Sequence, residues 1–349
     1  MNKPAAFLLL TALLPFGCAR AETSGKAAEL GFFSYAPYGP SLYADTHPNF
    51  VRLDVALCAN NEAYDFGRTG DGYRWTTLGD FGVNLPIWHG DLREGRFGFN
   101  VTWAMSAQLW LDILEPVTSP VINTDYRIGI PTVTFLHRLE RGFARNYSVA
   151  WSPFKHESTH LGDELQIQRV SEGYALNRVN VSYNYTELAV TLNEPEDRTR
   201  RTHTFRAGVM LLLVPGKGWY SVKEEAGDGD ASLAHPRMSP WEAYLQYQFQ
   251  TNTLPCGIQG VVSAEIRDRA VYGYDLTLRE GEEEETSPAS DSRRLTFNLF
   301  AGVRYNLPGY DGYFSRFTAG VRAYRGNCPY GQFRSIDRYS QIGLCLIFQ

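Results

Sequence analysis

Several long segments of this sequence alternate apolar with polar or small residues at every second position. In residues 294–305 apolar side chains occupy the odd positions, and 241–249, 314–325 and 339–348 repeat the alternation. Successive strand residues point to opposite faces, so each segment predicts a strand with one apolar face. Strands of about ten residues or more suit a bilayer, whereas strands of soluble sandwiches are usually shorter. The pattern therefore predicts an all-β protein with a single antiparallel transmembrane β-barrel.

Composition agrees with this architecture and excludes one broad class of function. Aromatic residues make up 14% of the 349-residue chain, and there are 32 glycines, which favours all-β folds. A formal net charge of −5 argues against binding to a nucleic-acid backbone. Mean hydropathy is −0.30, which a polar lumen explains in a membrane protein, and we expect Arg304 and Arg322 to face that lumen. Five tryptophans are expected in aromatic girdles: Trp88, Trp103, Trp110, Trp151 and Trp241.

About twelve strands are expected, an even number as in single-chain bacterial barrels. The segments 177–185 and 187–193 can also be one strand, in which case residues 157–176 lie at the extracellular end. The candidate strands are 73–88, 97–112, 124–137, 145–156, 177–185, 187–193, 203–214, 241–251, 257–278, 294–306, 314–325 and 339–348.

Connections between these strands alternate in length. The long polar loops 215–240, 280–293 and 325–338 are expected outside the cell, and the short turns in the periplasm. We expect residues 22–72 to form a short N-terminal periplasmic extension and residues 73–349 to form the barrel. Within the extension, residues 50–58 either add a strand or help to plug the lumen.

The N-terminus has the three parts of a secretory signal peptide. Lys3 supplies the positive charge, residues 4–16 are apolar, and Ala19-Arg20-Ala21 is a small-x-small cleavage site. We expect residues 1–21 to be removed near Ala21 and the mature protein to reach the bacterial outer membrane. Lipidation at Cys18, in an imperfect lipobox, remains an alternative.

The mature chain keeps four widely spaced cysteines. One disulfide and unpaired thiols both remain open for this set. No Cys/His spacing typical of zinc is present, and we expect no metal and no cofactor. The residues are Cys58, Cys256, Cys328 and Cys345.

The middle of the chain resembles a known family. The segments 122–129 (Ile-Asn-Thr-Asp-Tyr-Arg-Ile-Gly), 156–164 (His-Glu-Ser-Thr-His-Leu-Gly-Asp-Glu) and 178–183 (Arg-Val-Asn-Val-Ser-Tyr) carry the resemblance. They are similar to a bacterial family of exported proteins, classed as a domain of unknown function, with a His-x-Ser-Ser-His-Leu-Gly-Asp-Glu core. Thr159 replaces the second serine. The resemblance covers most of residues 37–215 and implies an outer-membrane-type barrel but no activity.

The same segment suggests a hydrolase. His156-x-Ser158 resembles the His-x-Ser order of two barrel enzymes, outer-membrane phospholipase A and lipid A deacylase. Nucleophilic catalysis requires an imidazole to accept the serine proton and a third group to orient the imidazole. Asp163, Glu164 or Glu157 could be that third group.

Alternation through residues 149–160 predicts that this pair faces the lumen. Ser152, His156 and Ser158 share one face, opposite Trp151, which is expected to face lipid. In the two barrel enzymes the pair faces lipid, so this orientation counts against an enzyme that acts on membrane lipid.

The alternative is a polar cluster inside the barrel. His160, Asp125, Arg127 and Arg178 are expected to line the lumen or hold a ligand beside His156. A metal site built from His156, His160 and Asp163 is a further alternative.

The sequence therefore predicts a structural or channel-like outer-membrane barrel with a polar lumen. A lipid or ester hydrolase using Ser158 and His156 is one alternative, and a soluble exported β-protein is another. The expected partners are outer-membrane lipid and the barrel-assembly machinery, and no nucleic acid.

Overall fold

A computed structural model describes most of the chain. The described residues are 28–32, 41–59, 74–92, 96–112, 120–140, 142, 144–162, 174–176, 179–194, 200–214, 219, 221–225, 231–234, 238–272, 277–279, 291–307, 316–334 and 339–349. The predicted signal peptide and Cys18 lie outside them.

The described residues form a closed antiparallel barrel of twelve strands, as the alternation predicts. In chain order the strands are β1 (Val51–Ala59), β2 (Arg74–Leu92), β3 (Phe97–Leu111), β4 (Val121–Gly129 and Thr132–Arg138), β5 (Asn146–Leu161), β6 (Ser182–Leu192), β7 (Thr202–Leu212), β8 (Trp241–Gln250), β9 (Ile258–Tyr272), β10 (Asp291–Asn306), β11 (Arg316–Gly326) and β12 (Tyr339–Phe348). Each strand pairs with the next, and β12 pairs with β1 to close the ring. Outside the ring, the strand Ala28–Phe32 pairs with the end of β2. Two small sheets lie in the connections: Val179–Asn180 with Ser221–Glu225 and Ala231–Ala234, and Tyr174–Leu176 with Thr277–Arg279. A single 3-10 turn is described, at Gly331–Phe333.

Two details differ from the expected strand list. The barrel begins at Val51, because β1 bridges β12 and β2, so the boundary expected at residue 73 is too late. Arginine and aspartate at alternate positions hide the membrane character of this nine-residue strand. Residues 182–192 form one strand instead of two. The total of twelve is thus confirmed, with residues 50–58 adding a strand and residues 177–193 supplying one strand of the barrel, each an alternative that the sequence left open.

The two faces of the barrel wall differ as a membrane barrel requires. Every strand presents exposed apolar side chains outward, among them Leu53, Phe81, Trp103, Phe135, Trp151, Leu188, Leu211, Leu245, Val262, Leu299, Val321 and Leu344. The interior holds buried charges, among them Arg52, Asp54, Asp80, Glu157, Glu242, Glu265, Arg267, Arg304 and Arg322. The predicted inward orientation of Arg304 and Arg322 is confirmed. Among the described residues no helix is long and apolar enough to cross a membrane.

Four of the five predicted girdle tryptophans are exposed on the outer face, but Trp110 is not. Trp110 is only 1% exposed and packs inside the barrel against Tyr330 and Phe333, with ring centroids 4.9 and 5.3 Å away. Its indole therefore contributes to the interior core instead of the membrane interface.

Pairing of the strands defines two ends of the barrel. Both Val51, at the start of β1, and Phe348, at the end of β12, lie at one end, which we call the turn end. The long connections 215–240, 280–293 and 325–338 follow strands that run to the opposite end, which we call the loop end. β5 ends at Leu161 and β6 begins at Ser182, and both of these strand ends lie at the loop end.

Residues 41–50, which we call the lumen plug, fill part of the barrel near the turn end. They bind the wall formed by β8, β9 and β10, and their backbone groups are satisfied by polar side chains there. The contacts are Tyr43 N to Gln248 Oε1 (3.1 Å), Ala44 N to Ser263 Oγ (3.1 Å), Thr46 Oγ1 to Glu265 Oε1 (2.6 Å) and Asn298 Nδ2 to Ala44 O (2.6 Å).

Residues 327–334, which we call the loop cap, fold into the opposite end. Gly331 N donates to Asp125 Oδ2 at 3.0 Å, and the Arg334 guanidinium pairs with the Glu242 carboxylate. Tyr330 and Phe333 join an aromatic core there. The lumen is therefore polar, as expected, and occupied from both ends.

No disulfide joins Cys58, Cys256, Cys328 and Cys345, all of which lie in the described part of the chain. Cys58, Cys328 and Cys345 are buried, and Cys256 is exposed. The Cys58 thiol lies 3.2 Å from Thr76 Oγ1 and 3.1 Å from the Tyr339 hydroxyl. Of the two alternatives that the sequence left open, the structure has thiols without a disulfide.

Candidate functional site

Strand β5 contains a β-bulge that reverses the faces of its upper half. Ser152 lies opposite Glu187 on β6, whereas Lys155 lies opposite Tyr185. Three steps along β5 thus match two steps along β6, so β5 carries one extra residue. Pro153 lies in this irregular stretch, where a residue without an amide hydrogen is tolerated. Because side chains alternate with a period of two, one extra residue exchanges the inner and outer positions.

As a consequence, His156, Ser158 and His160 face outward, and the predicted lumen orientation of this row is wrong. On β4, Tyr126 lies opposite Ser158 and Ile128 lies opposite His156; both β4 side chains are 48% exposed. The intervening Glu157 is only 1% exposed and faces inward. The prediction failed because it extended the phase of residues 146–152 through the bulge.

Asn184 of β6 lies beside His156 on the same outer face of the barrel. His156 Nδ1 lies 2.8 Å from Asn184 Oδ1, and the two residues are direct register partners. An amide oxygen can only accept a hydrogen bond, so the contact is a hydrogen bond in the tautomer of His156 that donates from Nδ1. In that tautomer the Nε2 atom is available as a base.

Ser158 is two residues beyond His156 on the same face. Two strand residues span about 6.6 Å, a distance that long side chains bridge by rotation. In the described part of the chain no hydrogen bond joins Ser158 Oγ to the imidazole, and catalytic contacts often close only when substrate binds. Ser182 of β6 lies directly opposite Ser158, so a second exposed serine adjoins the same position.

We call Ser158, His156, His160, Ser182 and Asn184 the outer polar patch. It lies at the loop end, where β5 and β6 leave the barrel. The outer side chains that adjoin it towards the turn end are apolar and exposed: Ile128, Ile130, Trp151 and Leu188. The patch therefore lies at the boundary between the apolar band and the loops.

Of the expected orienting carboxylates, Glu157 is on the wrong face. Its Oε2 atom pairs with Arg127 Nε at 3.3 Å inside the barrel, so it cannot reach His156 through the wall. Asp163 and Glu164 lie outside the described residues. The sequence analysis missed Asn184, which takes the orienting position by cross-strand pairing 26 residues after Ser158, a distance at which no local motif signals it.

The residues of the expected lumen cluster fall on both faces. Asp125 and Arg127 are buried inside, where Asp125 binds the loop cap and Arg127 Nη2 donates to Gln108 Oε1 at 3.0 Å. His160 is exposed outside, with its ring centroid 5.9 Å from that of Tyr126. Arg178 lies outside the described residues. The cluster is therefore divided by the barrel wall.

The geometry also bears on the metal alternative. His156 and His160 are four strand residues apart, about 13 Å along the strand, which is too far for both imidazoles to bind one ion. Within the described ranges, no group of three His, Cys, Asp or Glu residues is placed to hold a metal.

Comparison with known proteins returns membrane barrels. No family model matches the chain, and no curated protein matches it. Among solved structures, Escherichia coli outer membrane phospholipase A aligns over 86% of this chain and 93% of its own, with 11% identity and a TM-score of 0.41. The Salmonella typhi outer membrane phospholipase dimer with bound calcium aligns over 90% and 94%, with 10% identity and a TM-score of 0.43. The Pseudomonas aeruginosa outer membrane protein OprD aligns over 86% and 92%, with 10% identity and a TM-score of 0.24.

The closed ring, the apolar exterior and the polar interior define this chain as an outer-membrane-type β-barrel protein in contact with membrane lipid. Its lumen is plugged, and its most chemically distinctive residues lie on the outer wall. A role for these outer-wall residues is therefore inferred from the geometry of this chain.

Proposed function

We propose that this protein is a membrane-embedded serine esterase that cleaves acyl ester bonds of lipids in the outer leaflet. The observation that carries the proposal is the 2.8 Å contact between His156 Nδ1 and Asn184 Oδ1, on the outer face that also presents Ser158. A nucleophile, a base and a group that orients the base are thereby assembled on two neighbouring strands.

The three side chains have distinct roles. His156 Nε2 accepts the proton of Ser158 as its Oγ atom attacks the ester carbonyl, and the imidazolium then protonates the departing alkoxide. Water cleaves the acyl-enzyme by the same proton route. Asn184 is a positioning residue, because it holds the ring orientation and the protonated Nδ1 without touching the substrate. Neutral amides take this part in Cys-His-Asn enzymes.

The location of the patch supports a lipid substrate. Long loops of outer-membrane barrels face the exterior, so with that orientation the loop end, and Ser158 with it, would lie at the outer leaflet. Lipid esters lie where the hydrocarbon meets the headgroups, and the patch borders exposed Ile128 and Trp151 on its apolar side. A lipid would therefore approach sideways from the membrane, without entering the plugged lumen.

The test compares two serines that face each other. Wild type, Ser158→Ala and Ser182→Ala are purified in detergent, mixed with a diacyl phospholipid, and assayed for released fatty acid. We expect Ser158→Ala to lose about a thousandfold or more of the rate and Ser182→Ala to keep it within about threefold. All three should show the same shift in electrophoretic migration on boiling, which establishes that the barrel is intact.

A covalent probe makes the same test independent of the choice of lipid. A fluorophosphonate reacts only with an activated serine, so we expect a mass increase on the peptide that contains Ser158 and none in His156→Gln. An intact wild-type barrel that neither releases fatty acid nor reacts with the probe would contradict the esterase.

A second candidate is a purely structural or narrow-channel barrel. The observation that favours it is the polar lumen with its plug and cap. This candidate predicts no dependence on Ser158 in any assay, and planar-bilayer recordings measure whether the intact protein conducts ions.

We also infer the family membership, the signal-peptide cleavage and the export of this protein, for which the support comes from the sequence. The segment from His156 to Glu164 supports membership of the exported family with the His-x-Ser-Ser-His-Leu-Gly-Asp-Glu core. The three-part N-terminus supports cleavage near Ala21, export and insertion by the barrel-assembly machinery, with residues 22–50 as the part that precedes the barrel. Mass spectrometry of the mature N-terminus tests the cleavage, and an N-terminus at Glu22 is expected.

A further inference from the structure

The lumen plug leaves part of the barrel interior unfilled. It binds the wall made by β8, β9 and β10, and a cavity of about 80 Å³ remains between the plug and the wall made by β2 to β9. Plug residues Asp45, His47 and Asn49 line one side of this space. We call it the plug cavity. It is separated from the outer polar patch by the barrel wall, so nothing in it depends on the proposed esterase.

Positive groups outnumber negative ones in the lining of the plug cavity. Two of the four cations are paired with acids that also line it: Lys155 Nζ lies 2.6 Å from Glu187 Oε2, and Arg267 Nη2 lies 3.7 Å from Asp45 Oδ1. Arg267 also pairs at 3.1 Å with Glu265, which lies behind the lining.

The other two cations have acidic partners that do not line the cavity. Arg127 pairs with Glu157 at 3.3 Å, and Arg206 pairs with Glu194 at 3.5 Å. The surface that faces the cavity therefore carries two positive charges more than negative charges.

The pKa of plug residue His47 is sensitive to the electrostatic potential in the plug cavity. Burial lowers the pKa of His47 well below its ordinary value, and the positive charges of Arg127 and Arg267 lower it further. The Nε2 atom of His47 and the Nη1 atom of Arg127 are buried and have no hydrogen-bond partner among the described residues. A concave site with a positive potential and unused polar atoms attracts anions.

We propose that the plug cavity is a binding site for one small oxyanion, of the phosphate or carboxylate class, held between the lumen plug and the basic side chains of the wall. A water needs about 10–15 Å³ of such space, so the cavity holds about five to eight waters, enough for an anion of four or five heavy atoms. Uncharged polar side chains line the remainder, including Asn84, Thr102 and Thr134.

Inorganic phosphate is the probe for the first measurement. The full-length protein in detergent is titrated by calorimetry at constant ionic strength, with chloride as the balancing salt. We expect saturable binding of one phosphate per chain. Phosphate should also raise the temperature at which the barrel loses its compact electrophoretic form, since a ligand stabilises the state that binds it. Acetate, with one carboxylate, separates the two anion classes.

The decisive variant is Asn49→Asp, which has the same shape and breaks no buried ion pair. A new negative charge in the cavity should weaken phosphate binding about tenfold or more. Arg293→Gln is the matched control, because Arg293 pairs with the half-buried Asp268 at 2.8 Å away from the cavity, and it should bind phosphate as wild type does. A second variant, Arg206→Gln, removes one lining cation and should weaken binding in the same direction.

Phosphate also stabilises proteins generally by exclusion from their surface, so the comparison between variants decides the outcome. Equal thermal shifts in wild type and Asn49→Asp, or a titration without saturation, would overturn the site. A loss of binding in Asn49→Asp with wild-type heat resistance in chloride supports it.

Discussion

The two halves of β5 have the same secondary structure but opposite phases. In the lower half, Ser148 and Ser152 are buried and Trp151 is 52% exposed. In the upper half, Glu157 and Thr159 are buried, so the odd positions now face inward. The lower half follows the alternation of the rest of the barrel. The upper half follows it only if the one extra residue of the bulge is left out of the count.

This difference shows that a bulge can place reactive side chains on the membrane face of an otherwise regular strand. Without the extra residue, His156 and Ser158 would point into the lumen, where the loop cap and the buried charges leave no route for a lipid. With it, the same residues adjoin Asn184 and the apolar band. The chemistry proposed for β5 therefore depends on one local irregularity in the backbone.

Removing the bulge should have the largest effect. Deletion of Phe154 would bring the upper half into the phase of the lower half, turning Glu157 towards lipid and His156 towards the lumen. Because a charge on the lipid face and an orphaned Arg127 both destabilise a barrel, we expect no heat-resistant compact form. Phe154→Ala keeps the residue count and should retain that form on electrophoresis. If the deletion variant folds like wild type, the bulge does not set the faces.

Adjacent residues in the upper half provide a milder test of the same reversal. Glu157→Gln removes the partner of buried Arg127 and should lower the free energy of unfolding by about 3 kcal/mol. His156→Gln removes only a partly exposed hydrogen bond and should cost about 1 kcal/mol or less. Urea unfolding followed by tryptophan fluorescence measures both. Equal losses would mean that the two side chains share one environment.

The fold was largely predictable because a barrel wall with one apolar and one polar face requires apolar and polar residues to alternate along each strand. Eleven residues such as 316–326 carry enough pattern to specify a strand by themselves. The pattern failed at β1, whose inward Arg52 and Asp54 belong to a buried ion-pair network that includes Asp80 and Arg322. Only the closed ring shows that these charges are paired and that their strand spans the wall.

The candidate site was predictable only in part. His156 and Ser158 are two residues apart and form a local motif, so the sequence was sufficient to select them. Asn184 comes from another strand, and its position depends on the register of β6 against β5. The face of the whole patch depends on a bulge, which Pro153 permits but does not specify. Pairing register and bulges are tertiary properties that a single sequence does not display.

The smallest expected effect concerns the pH dependence of the proposed esterase. Asn184→Asp replaces the neutral partner of His156 with a carboxylate of similar size, and a nearby negative charge favours the protonated imidazolium. Because the base must be unprotonated to accept the serine proton, the acidic limb of the rate profile should move to higher pH, with the rate at high pH retained within about tenfold. Asn184→Ala should instead lower the rate across the whole profile, since the imidazole then loses its orienting partner. If the contact between Asn184 and His156 is only structural, the acidic limb of the rate profile should stay at the same pH in both variants. A shift of that limb in Asn184→Asp alone would show that His156 acts as the base.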